Sequence, residues 1–234
     1  ADGSIVAIAS VSNDGNGNDS GHVRVYQNVS GVWTQIGTDI NGEAAYDNSG
    51  WTVSLSADGS IVAIGAHFND GNGSNSGHVR IYQNVSGVWT QIGADINGEA
   101  AYNNSGVSVS LSADGRILAI GADGNNGNGS GSGHVRVYQN VSGVWIQIGT
   151  DIDGETAGDL SGVSVSLSTD GSVVAIGGWS NDANGNDSGH VRVYNLSAIL
   201  NSNSFIQSNL SIYPNPSNGI VNITLKNNLQ LQTF

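Results

Sequence analysis

The chain has 234 residues, 38% of them hydrophobic and 11% charged, with 35 glycines, two prolines and no cysteine or methionine. Six basic residues against 19 acidic ones give a formal net charge of −13. That balance leaves no basic patch to neutralise phosphates, so nucleic acid and anionic membrane surfaces are set aside as partners. Without cysteine there is no disulfide framework, thiolate metal site or cysteine nucleophile, and no stretch reaches the apolar length of a membrane span.

The chain opens at Ala1 inside a repeat, so the natural start is expected upstream. Ala1-Asp2-Gly3 reads as the hairpin turn of a first unit, with its first strand before the chain begins. The stretch Ser20–Gly37 then sets the pattern. It recurs almost unchanged from Ser76 and Ser132, and its first half recurs from Ser188, always 56 residues on. A fixed period of this size marks a repeat architecture.

The second unit shows the elements best. Trp51–Ser56 alternates apolar and polar residues as a half-buried strand does, and Asp58-Gly59 is a tight-hairpin signal. Ile61–Ala66 is an apolar second strand, His78–Tyr82 a third and Val88–Ile92 a fourth, with polar loops at 69–77 and 93–106. Four antiparallel strands per unit, which no single sheet could cover on both faces, predict β-propeller blades. The expected fold is all-β, about three and a half four-stranded blades (1–50, 51–106, 107–162 and 163–195), read as part of a larger ring. A linker over 196–209 then leads to a strand-rich segment over 210–234 that holds both prolines and begins a small β-sandwich-like domain.

Residues Ser49-Gly50-Trp51-Thr52-Val53-Ser54-Leu55-Ser56 and Val62-Ala63-Ile64-Gly65-Ala66 resemble the FG-GAP repeat of integrin-type propellers. Ser49, Ser105 and Ser161 replace its phenylalanine, and Ser56-Ala57-Asp58-Gly59 is too short to carry the calcium loop that resemblance would imply. Tyr26 and Trp33 resemble the Kelch pattern, also a propeller. In the tail, Tyr213-Pro214-Asn215-Pro216 followed by Gly219 is similar to the opening of the C-terminal sorting domain of Bacteroidetes type IX secretion substrates. That resemblance implies engagement with the type IX machinery and an extracellular or outer-membrane surface location in a Gram-negative bacterium.

Residues common to every unit read as scaffold. His22, His78, His134 and His190 are expected to be hydrogen-bonded at strand starts. Arg24, Arg80, Arg136 and Arg192 are expected to pair with Asp39, Asp95 or Asp151, and Trp33, Trp89 and Trp145 to wedge between blades. Loops with oxygen donors at alternate positions, Asp14, Asn16 and Asn18, Asp70 and Asn72, and Asp182 and Asn184, resemble the start of a calcium loop but lack its distal glutamate. Calcium is the one cofactor these residues could take; Asn and Gly also suit tight turns.

Function is expected where the units differ. The residue after strand two is Val11, His67, Asp123 and Trp179 in turn, and its successor is Ser12, Phe68, Gly124 and Ser180. Trp51 likewise stands against Val107 and Val163. Loops from the same end of each blade would gather His67, Phe68, Asp123, Trp179 and Trp51 on one face, a binding surface for extracellular glycan or protein. No Gly-x-Ser-x-Gly, His-Glu-x-x-His or phosphate loop is present, so the expectation is a secreted, non-enzymatic adhesion module. The alternatives are a propeller-fold polysaccharide hydrolase or lyase, or its non-catalytic part, and a structural spacer.

Overall fold

The computed structural model describes residues 3–200 and two further strands at 210–213 and 222–225. The chain divides into two units, Ala1–Tyr194 and Asn195–Phe234. In the second, β18 (Leu210–Tyr213) pairs antiparallel with β19 (Asn222–Leu225). Tyr213 ends β18; Pro214, Asn215, Pro216 and Gly219 lie outside the described residues.

The first unit is a β-propeller arrangement of four consecutive blades. Blade one holds β1 (Ile5–Ser10), β2 (His22–Val29), β3 (Val32–Gln35) and β4 (Ile40–Asn41). Blade two holds β5 (Thr52–Leu55), β6 (Ile61–Ala66), β7 (His78–Val85), β8 (Val88–Gln91) and β9 (Ile96–Asn97). Blade three repeats it with β10 (Ser108–Leu111), β11 (Ile117–Ala122), β12 (His134–Val141), β13 (Val144–Gln147) and β14 (Ile152–Asp153). Blade four contributes β15 (Ser164–Leu167), β16 (Val173–Gly178) and β17 (His190–Asn195). The main strands neighbour one another in chain order within each sheet, and β4, β9 and β14 return to pair with β2, β7 and β12.

One local feature matches the sequence reading and one departs from it. The Asp58-Gly59 turn is a four-residue connection, closed by Ser56 N–H to the Ile61 carbonyl and Gly59 N–H to the Ser56 carbonyl. Its Asp58 carboxylate accepts from the Ser56 hydroxyl at 2.6 Å and Ser60 N–H at 3.0 Å, which lowers its pKa. The 93–106 loop also contains a strand. The outer strand breaks after Gln91 and resumes as β9 on the same partner, β7. Gly93 sits at the break with φ +74°, and a Cβ there would stand 2.9 Å from the Gly143 carbonyl of the next blade.

First strands are stitched to one another around the propeller. Leu111 N–H donates to the Ser54 hydroxyl and Leu167 N–H to that of Ser110, both at 3.0 Å. Ala57 N–H likewise reaches the Ala113 carbonyl. The cores lie between sheets. Ala63, Val79, Ile81, Leu118, Ile120 and Tyr138 fill one junction, and Val23, Val25, Ile40, Val62 and Ile64 another. Removing such apolar surface from water contributes roughly 25 cal/mol per Å². Ile64 is 1% exposed at its junction, whereas Ile8, its equivalent on the outward face of blade one, is 55% exposed.

Candidate functional site

Thr52 pairs with Gly65 across the first hairpin of blade two. Trp51, just before β5, and His67-Phe68, just after β6, therefore share its open end. The loops that follow are tied together there, Gly98 N–H to the Gly77 carbonyl and Ser105 N–H to that of Ser76. Gly50 makes the approach possible. It adopts φ +91°, and a Cβ there would fall 2.7 Å from Ala9 Cβ of blade one.

The three aromatic side chains form one stack. The Trp51 and His67 ring centres are 4.3 Å apart at 40°, and those of His67 and Phe68 3.8 Å apart at 34°. Trp51 is 49% and Phe68 40% exposed, with His67 buried between them. Burial lowers the His67 pKa to about 4, so the imidazole is neutral near pH 7, and its Nδ1 has no hydrogen bond. Against Trp51 lies an open depression of about 670 Å³, lined by Ala9, Ser10, Val11, Ser12, Gly50, Trp51 and Val53. An indole face beside two serines suits a ligand with an apolar face and polar edges.

The other predicted residues are placed separately. Asp123 holds the His67 position in blade three, where its Oδ1 accepts from Asn104 Nδ2 at 3.0 Å and burial raises its pKa. Trp179 holds it in blade four, 65% exposed and outside the aromatic stack. The structure therefore joins Trp51, His67 and Phe68, and leaves Asp123 and Trp179 in their own blades.

In the loops read as calcium-like, the oxygens close turns. Asp14, Asp70 and Asp182 each accept the backbone N–H five residues on, at 2.9, 2.8 and 2.7 Å. The amides of Asn16 and Asn72 donate to the carbonyls of Gly42 and Gly98. The Asn18 carbonyl accepts from Tyr46 N–H, and Asn184 is exposed in the blade-four loop.

Of the repeated arginines, Arg24 pairs as expected and the other three do not. Arg24 pairs with Asp39 through two hydrogen bonds, at 2.9 and 2.8 Å, which helps hold the Asp39 pKa at about 2. Arg80, Arg136 and Arg192 instead donate to the carbonyls of Asn41, Asn97 and Asp153 in the preceding blade. They face Glu43, Glu99 and Glu155 at 3.5, 3.9 and 3.6 Å. The physical reason is the junction itself, since a neighbouring blade supplies acceptors that no residue pattern within one unit reveals. Trp89 and Trp145 wedge between blades as expected, whereas Trp33 is 46% exposed and does not. Trp89 Nε1 donates to the Ile36 carbonyl at 2.8 Å and Trp145 Nε1 to that of Ile92 at 3.2 Å.

Comparison with known proteins agrees with this architecture. Residues 41–82, which include the aromatic stack, match the FG-GAP repeat family. No curated protein matches the chain. Among solved structures, a candidate 6-phosphogluconolactonase from Bacteroides uniformis aligns at 14% identity and a TM-score of 0.52, over 80% of this chain and 49% of its own. A periplasmic gluconolactonase from Pseudomonas aeruginosa aligns at 17% identity and 0.52, over 82% of this chain and 50% of its own. The chain thus spans about half the length of either, and the likeness is one of fold. It nevertheless corrects the expectation of a non-enzymatic protein. Both neighbours are named as lactonases, so the lack of a familiar catalytic motif does not exclude an enzyme on this scaffold. Among the described residues no helix is long and apolar enough to cross a membrane.

Proposed function

We propose that this β-propeller binds a carbohydrate at the blade-two rim, with Trp51 as the stacking platform and His67 and Phe68 as its support. The observation that carries the reading is the Trp51-walled depression of about 670 Å³ beside Ser10 and Ser12. An apolar indole face meets the C–H face of a sugar ring, while the hydroxyls meet its edges. The exposed Trp179 offers a second contact to an extended glycan. The tail that resembles a type IX sorting domain supports a secreted protein displayed at the surface of a Gram-negative cell. Glycan-array binding by the chain, weakened at least tenfold by Trp51→Ala with folding intact, tests the site. Equal binding by that variant would remove it.

A second reading, turnover of a sugar lactone or polysaccharide at the same rim, is favoured by the fold shared with two proteins named as lactonases. Proton release from gluconolactone, abolished by Trp51→Ala, would support it. Rates no higher than the buffer's with gluconolactone and with a panel of polysaccharides would dismiss it.

A further inference from the structure

Each of the first two blade junctions gathers a histidine and two carboxylates from different elements. His134, at the start of β12, directs Nδ1 toward Asp151 Oδ2 at 3.5 Å and Glu99 Oε2 at 3.9 Å. Asp151 lies in the break of the blade's own outer strand, and Glu99 comes from the preceding blade. The arrangement recurs 56 residues earlier, where His78 Nδ1 stands 3.7 Å from Glu43 Oε2 and 3.9 Å from Asp95 Oδ2. In each set the three ligand atoms lie within 4.8 Å of one another.

The observation that needs a ligand is His134 Nδ1. Its side chain is 1% exposed, the atom is buried, and it makes no hydrogen bond. A buried polar atom left unpaired is costly. Carboxylate oxygens of Asp151, Glu99 and Asp153 stand 3.5, 3.9 and 4.0 Å from it, within ion-pair reach but not hydrogen-bonded to it. Donors about 2.1 Å from one ion at a tetrahedral angle stand roughly 3.4 Å apart, close to these separations.

We propose that both junctions bind a divalent transition-metal cation, Zn²⁺ fitting best, coordinated by Glu99, His134 and Asp151 and by Glu43, His78 and Asp95. One imidazole nitrogen and two carboxylates suit zinc, whereas calcium takes oxygen ligands in larger number. Glu99 and Asp151 are partly exposed, so an ion can enter from solvent.

The neighbouring charges rank the two sites. Arg136 faces the other oxygen of Glu99 at 3.9 Å, and Arg80 faces that of Glu43 at 3.5 Å. The His134 junction adds a third carboxylate, Asp153, with Oδ1 4.0 Å from Nδ1, where the His78 junction has Asn97. The His134 site is therefore the tighter. The outer blades lack the full set among the described residues. His22 faces Asp39, already held by Arg24, and His190 faces Glu155 alone.

Calorimetric titration of ZnCl₂ into the whole chain, first stripped with chelator, tests this. The expected result is two ions per chain, a raised Tm, and no comparable binding of Ca²⁺ or Mg²⁺. Glu99→Gln and Asp151→Asn should each weaken the tighter site at least tenfold, and Glu43→Gln the other. These carboxylates are partly exposed, so the variants should fold even where His134→Gln does not. Co²⁺ in place of zinc should give visible d–d bands that lose the tighter site's share in Glu99→Gln. Absent saturable Zn²⁺ binding, equal binding of Ca²⁺, or affinity and stoichiometry unchanged in Glu99→Gln and Asp151→Asn would each overturn the proposal.

Discussion

The blade junctions and the blade-two rim use the same repeat in opposite ways. At the junctions, residues return every 56 positions because each meets a copy of the same neighbour: Ile64 and Ile120 in the cores, Trp89 and Trp145 hooked onto a preceding carbonyl, Arg80 and Arg136 reaching back to a preceding glutamate. At the rim, Val11, His67, Asp123 and Trp179 share one position and nothing else. Only in blade two do its neighbours Trp51 and Phe68 complete an aromatic stack. Many of the repeated residues therefore meet a neighbouring blade, whereas the changing rim residues make contacts that belong to one blade alone.

The sharpest way to break this contrast is a pair of identical substitutions. Ile64→Ala removes a fully buried side chain and should destabilise the chain by about 2–5 kcal/mol in urea. Ile8→Ala, at the same register on the outward face of blade one, should cost no more than about 0.5 kcal/mol. Equal losses would mean that the junctions are not where the stability lies.

Next in size is a pH effect at the rim. The folded His67 value of about 4 lies below the ~6.5 of an unfolded chain, so the unfolded state binds more protons between them. The stability contributed is complete above about pH 6.5 and is lost as pH falls through about 4, by at most about 3 kcal/mol. His78 and His134 shift the same way, so the comparison is between the chain and His67→Phe. The variant should lose less stability on acidification, and parallel curves would contradict the assignment. A smaller effect belongs to the hooks. Trp89→Phe keeps much of the ring but loses the bond to the Ile36 carbonyl, about 1 kcal/mol in a urea melt. The same change at the exposed Trp33 should be near neutral.

Much of this was legible in the chain. The period, the four main strands per blade and the tryptophan wedges follow from alternation, glycine-rich turns and the recurrence of Trp33, Trp89 and Trp145. The two-residue strands β4, β9 and β14 were not, because an outer strand broken at a glycine has too few residues to show alternation. The arginine partners were hidden for a different reason. Arg80 meets Glu43, 37 positions upstream in another blade, while Asp95 lies nearer in sequence within its own. At the rim, the changing column pointed to Trp51, His67 and Phe68. That His67 is buried and neutral between the other two depends on a side-chain geometry that spacing does not encode.

The proposed carbohydrate site lies at the blade-two rim. The direct measurement is a glycan array probed with the chain and with Trp51→Ala, each first checked by urea melt for stability within about 1 kcal/mol of the other. The account predicts defined hits for the chain, weakened at least tenfold in the variant. Hits of equal strength from both proteins, or none from either, would contradict it.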